Sequence, residues 1–140
     1  MKVCTYQRQT ALGQFSRAGL FHDESTVIDL NLLWQKYYED QGSFNSKVRA
    51  NLKCPSSIST LLELYQGDLI PFLQESLEIY SKFLAAGSLC TKDLGLISFN
   101  IDKDELVKFD SPLKKINCYR DFYVHEKHVA KGFEKRGEPI

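Results

Sequence analysis

Between Ile70 and Gly87 the apolar residues Phe72, Leu73, Leu77, Tyr80, Phe83 and Leu84 recur at steps of three and four, while Glu75, Glu78 and Lys82 fall elsewhere on the wheel. That spacing predicts an amphipathic helix over residues 70–86, because a 3.6-residue period brings those positions back to one side. Pro71 suits its first turn, and Ala85-Ala86-Gly87 closes it. The stripe reads as core, and a core stripe needs a second apolar layer to lie against.

The start of the chain supplies candidates for that layer. Val3, Thr5 and Tyr6 favour a strand, and Leu12 and Phe15 sit in a second strand ending near Arg17-Ala18-Gly19. The β-branched run within Ser25-Thr26-Val27-Ile28-Asp29-Leu30 reads as the return arm of a meander. Asn31 can then cap a helix through Leu32, Leu33, Trp34, Tyr37 and Tyr38, with Gly42 as its stop. Residues 43–57 mix polar groups with Pro55 and read as a surface loop. Ser57 or Ser59 starts a short helix carrying Leu61, Leu62, Leu64 and Tyr65 and ending at Gln66-Gly67-Asp68. Leu94 to Phe99 and Leu106 to Phe109 read as further strands. The fold class expected is α+β: a small twisted sheet or partial β-barrel, flanked by helices near 31–42, 58–66 and 70–86.

Composition removes several classes of function. Eighteen Lys and Arg balance eighteen Asp and Glu, so no overall field recruits nucleic acid or an anionic membrane. No run approaches the 18 or so apolar residues of a membrane helix. Met1-Lys2-Val3-Cys4-Thr5-Tyr6-Gln7-Arg8 turns polar at once, unlike a secretory leader. Cys4, Cys54, Cys90 and Cys118 form no C-x-x-C pair, which argues against a structural zinc site and for free thiols in a reducing cytoplasm. There is no G-x-S-x-G elbow, phosphate loop or G-x-G-x-x-G.

Chemistry-bearing residues gather instead in Tyr119-Arg120-Asp121-Phe122-Tyr123-Val124-His125-Glu126-Lys127-His128. At about 100° per residue, Asp121, His125 and His128 fall at about 0°, 40° and −20°, on one helix face, while Phe122, Val129 and Phe133 share an apolar stripe. Such a face can hold a metal or move a proton. By pattern alone Asp121 can equally cap a helix, and His128 can be an ordinary surface histidine. The spacing of His125 and His128 falls short of a true H-E-x-x-H motif.

The run Arg120-Asp121-Phe122-Tyr123-Val124-His125-Glu126-Lys127-His128-Val129 resembles the R-D-F-Y-x-x-E-x-H-V segment of the fumarylacetoacetate hydrolase family. Softer likeness lies upstream: the strand at Lys2 to Tyr6, the Val27-Ile28-Asp29-Leu30 run, the leucine-rich helix before Gly67, and Ser111-Pro112-Leu113. The resemblance implies residues 1–115 as an amino-terminal domain and 116–140 as the start of a catalytic domain. It makes Asp121 a ligand of Mg2+ or Ca2+, His128 the general base that activates water, and Tyr123 a hydroxyl facing substrate. Arg136 lies one residue from the register of an arginine on a substrate-covering segment. His125 receives no role. The reaction implied is metal-dependent hydrolysis of a C–C bond in a 1,3-dicarbonyl acid, such as an acylpyruvate or a fumarylacetoacetate-like acid, by a cytoplasmic enzyme that is a homodimer at full length.

Family members complete the oxygen cage with an E-x-E pair, which this sequence lacks. Magnesium takes about six oxygens and calcium six to eight, so Asp121 alone cannot hold either tightly. The expectation is an amino-terminal portion of a longer enzyme, inactive by itself. The alternative is a stand-alone α+β binding or dimerisation module that docks through Phe122, Val129 and Phe133.

Overall fold

A computed structural model describes residues 1–91, 95–110 and 137. The chain opens with an antiparallel hairpin, β1 (Val3–Thr10) and β2 (Gly13–Phe21), in which Tyr6 faces Arg17 and Arg8 faces Phe15. The turn is set by Thr10, whose Oγ1 donates to the Gly13 carbonyl at 3.0 Å and accepts the Leu12 N–H at 3.2 Å. Asp23 shapes the next turn: its Oδ1 accepts the N–H groups of Ser25 and Thr26, which hold its carboxyl below the usual range. β3 (Thr26–Asp29) then pairs with β2.

Four helices follow among the described residues: α1 (Leu30–Asp40), α2 (Ser46–Lys53), α3 (Ile58–Leu64) and α4 (Ile70–Ala86). After them come the short strands β4 (Cys90–Thr91), β5 (Gly95–Leu96), β6 (Ser98–Asn100) and β7 (Val107–Asp110). β6 and β7 add to the two edges of the first sheet, giving the order β6-β3-β2-β1-β7 with antiparallel pairing throughout. The sheet curls into a half-barrel, so the α+β class with a partial barrel stands.

Strand alternation gives the sheet two unlike faces. Val3, Ala18, Leu20 and Ile28 point toward the helices, where they join Leu33, Trp34, Leu61, Phe72, Leu73 and Tyr80 in the main core. Trp34 anchors that layer: its ring stacks on Phe72 at 5.8 Å and its Nε1 donates to Ser76 Oγ at 3.1 Å. The stripe read for residues 70–86 is thus α4, with Pro71 in the first turn and Gly87 at φ 66° ending it. The opposite face carries Cys4, Tyr6, Val27 and Phe99 in a second, smaller cluster.

The structure differs from the expectations at three points. Asp29, not Asn31, caps α1 by accepting the Leu32 N–H at 2.9 Å. Asn31 instead turns its amide to Asn51 Oδ1 at 3.0 Å and the Cys54 carbonyl at 2.7 Å. Those two bonds belong to the second difference: residues 46–53, within the expected loop, form α2, which buries Ala50 and leaves Val48 and Leu52 exposed. Third, the strand expected over 94–99 is interrupted at Ile97, whose N–H donates to the Leu89 carbonyl while its own carbonyl accepts from Asp29 N–H.

Gly19 sits where β2 passes closest to the smaller cluster. A Cβ there would lie 2.6 Å from Val27 Cγ1 and 2.9 Å from Cys4 Sγ, so neither neighbour leaves room for one. Gly19→Ala is expected to destabilise the chain by about 2 kcal/mol, as overpacking does, in urea titrations. Val27→Ala in the same chain should recover part of that loss; an unchanged midpoint in Gly19→Ala would show that the strands separate freely here.

Candidate functional site

The half-barrel forms, on the face that carries Tyr6 and Phe99, a cavity of about 650 Å³, within the size range of small-molecule sites. β1 and β2 place Tyr6, Arg8, Phe15 and Arg17 on this face by alternation, and β3 brings Asp29 to its floor. Leu12 at the hairpin tip, Leu96 and Phe99 supply an apolar wall, and Asp104 stands at the rim.

At the floor the Asp29 carboxylate is nearly solvent-free, at 2% exposure, yet fully paired. It accepts from the Tyr6 hydroxyl, from Arg17 Nε, from Arg17 Nη2 at 2.9 Å and from the Leu32 N–H. Those four donors take up what a carboxylate can accept. Arg17 Nη2 also reaches Asn31 Oδ1 at 3.4 Å. Burial pushes the Tyr6 phenol far above its ordinary range, and the adjacent Asp29 charge pushes it further. Burial alone would lower the Arg17 guanidinium; the hydrogen bonds and charge of Asp29 outweigh it and hold Arg17 firmly charged.

Near the rim, Arg8 Nη2 pairs with Asp104 Oδ2 at 3.1 Å, and its guanidinium lies 5.1 Å from the centre of the Phe99 ring. Asp104 Oδ1 is held by the Leu106 N–H at 3.1 Å. The cavity therefore combines two guanidinium groups, two carboxylates and an apolar wall. It has the make-up of a binding site. Its buried carboxylate, Asp29, is saturated and so is not free to act as a base.

The residues singled out from the sequence, Asp121, Tyr123, His128 and Arg136, lie outside the described residues, as do His125 and the helix and domain boundary expected after residue 115. Among the described residues no group of three or more His, Cys, Asp or Glu is placed to hold a metal ion. Nor is any described helix long and apolar enough to cross a membrane. Cys4, Cys54 and Cys90 are free thiols; burial pushes Cys4 up to about 11 and Cys54 higher still. No family model, no curated protein and no solved structure matches the chain.

Two predictions follow from the floor of the cavity. Asp29→Ala strands the Arg17 charge and uncaps α1, and should cost about 3–5 kcal/mol in chemical denaturation. Combining it with Arg17→Met should cost less than the two single losses together, and strict additivity would mean that the pair is not coupled. The second concerns alkaline pH. The unfolded Tyr6 phenol titrates near pH 10 while the folded one keeps its proton, so above that pH folding loses about 1.4 kcal/mol per pH unit from this group. Cys4 and Tyr65, pushed up to about 11 and about 12, act in the same direction. Stability measured at pH 8, 10 and 11 should therefore fall less steeply in Tyr6→Phe than in the parent.

Proposed function

We propose that this chain is the amino-terminal portion of a fumarylacetoacetate hydrolase family protein, acting in metal-dependent hydrolysis of a C–C bond in a 1,3-dicarbonyl acid. The observation that carries this reading is the run Arg120 to Val129, which matches the family segment at Arg120, Asp121, Phe122, Tyr123, Glu126, His128 and Val129 when read along the sequence. The half-barrel supports it by its position, since β7 ends at Asp110, ten residues before Arg120.

In this reading His128 is the base: a neutral imidazole, with an ordinary pKa near 6.5, takes a proton from water at working pH. Tyr123 offers its hydroxyl to a substrate oxygen, and Arg136 closes over the acid's carboxylate. Asp121 would be one ligand of Mg2+ or Ca2+, a Lewis acid suited to a developing enolate. One carboxylate does not make an oxygen cage, and the described residues add no metal-binding group, so the residues in hand do not fit a tightly held cation. A reducing, cytoplasmic setting and a homodimer belong to the same proposal. The free thiols agree with the former.

A second reading, a non-catalytic binding or dimerisation module, is favoured by the exposed apolar side chains of Phe15 in β2, Phe109 in β7, Leu12 in the hairpin turn and Leu96 in β5. The two readings separate on His128. In any polypeptide containing this chain that cleaves an acylpyruvate, His128→Ala should lower kcat by about 10²–10⁴-fold with cation affinity unchanged. Turnover at the parent rate removes the base from the proposal. The 140-residue chain alone should bind Mg2+ only weakly by calorimetry and show no turnover.

A further inference from the structure

The hydrogen-bond groups of the cavity are unevenly used. Its buried acceptor, Asp29, is saturated, the Thr10 hydroxyl is spent inside the hairpin turn, and Asp104 at the rim has one oxygen on Arg8 and the other on the Leu106 N–H. Its donors are not. Arg17 engages Nε and Nη2, which leaves the two N–H groups of Nη1 without a partner among the described residues. Arg8 engages Nη2 alone, leaving Nε and Nη1. The register places the two arginines as diagonal neighbours on one face of the hairpin, about 7–8 Å apart at the backbone, close enough for both long side chains to meet one ligand group.

A ligand that enters here must bring acceptors and few donors. An amine, amide or alcohol would carry N–H or O–H groups to a floor whose acceptor is already filled, and an unpaired buried donor is costly. An ionised carboxylate is acceptor-only, and guanidinium edges hold it by paired, charge-assisted bonds. The rest of the cavity specifies the rest of the molecule: Leu12, Phe15, Leu96 and Phe99 form an apolar wall beside the arginines. Phe99 already lies against the Arg8 guanidinium, which keeps that side chain beside the ring at the edge of the cavity.

We propose that this face of the half-barrel is a binding site for a small organic carboxylate with an apolar body, the acid held between Arg8 and Arg17 and the body against Leu12, Phe15 and Phe99. The site lies within residues 6–104 and uses none of Asp121, Tyr123, His128 or Arg136, so it stands or falls independently of the hydrolase reading.

The test is a two-dimensional NMR titration of the whole 140-residue chain with 4-phenylbutyrate, alongside 4-phenylbutylamine as the matched cation. The acid is expected to shift the amides of Arg8, Leu12, Phe15, Arg17 and Phe99 saturably, and the amine to leave them in place up to about 10 mM. Arg8→Met should weaken the acid at least tenfold while preserving the spectrum elsewhere, because Arg8 stands at the rim and its loss leaves the Arg17 and Asp29 floor intact. Phe15→Ser should weaken it through the apolar end, and Phe44→Ser, exposed between α1 and α2 and not part of the cavity lining, should change nothing. Equal shifts with the amine, parent affinity in Arg8→Met, or no saturable shift with the acid would each overturn the proposal. So would shifts at the same residues that depend on protein concentration without any probe, since a second copy would then be the occupant.

Discussion

One carboxylate joins three strands of the sheet to the first helix through side-chain hydrogen bonds. Asp29 ends β3 and begins α1, and it accepts at once from β1 through Tyr6, from β2 through Arg17 and from the first turn of α1 through Leu32. Burying a charge this deeply is costly unless it is matched, and here the match is complete. The consequence is geometric. The angle at which the chain leaves the sheet and enters the helical layer is tied to the curl of the hairpin, because the same oxygens bind both.

That tie also explains why the two sheet faces differ in use. Toward the helices, Ala18, Leu20 and Ile28 meet a full apolar layer, and Asp29 faces the other way. Polar residues at strand positions that would otherwise carry core, Arg8 and Arg17 above all, turn the opposite face into a lined cavity instead of a second interior. The smaller cluster of Cys4, Tyr6, Val27 and Phe99 is enough to support the strands beneath it, with Gly19 allowing the close approach. Among the described residues, the larger core lies on one side and the cavity on the other.

How far the sequence reveals this depends on the range of the interaction. α4 is legible because its stripe, its proline and its terminal glycine are all local signals that agree with the packing. α2 is not, because its exposed Val48 and Leu52 and its missing side-chain cap hide a helix that is held by Asn31 from a distance of twenty residues. The cap of α1 lies two residues before Asn31 for a related reason: Asp29 and Asn31 are equally good caps locally, and only the donors arriving from β1 and β2 decide between them. The cavity left one trace, a single arginine within each of the first two strands, Arg8 and Arg17, which becomes informative once the register opposes Tyr6 to Arg17. The family-like segment is a stretch of local sequence and was readable as such; its geometry lies outside the residues described.

The placement of Trp34 has an optical consequence. It is the only tryptophan in the chain, and it lies in the helical layer against Phe72, beneath the Lys53 ammonium and bonded to Ser76. Its intrinsic emission therefore watches the seam between α1, α2 and α4 and is blind to the far side of the sheet. A fluorescence melt of this protein would follow the loss of one layer, and a ligand filling the arginine-lined hollow could leave that signal unmoved while still being bound.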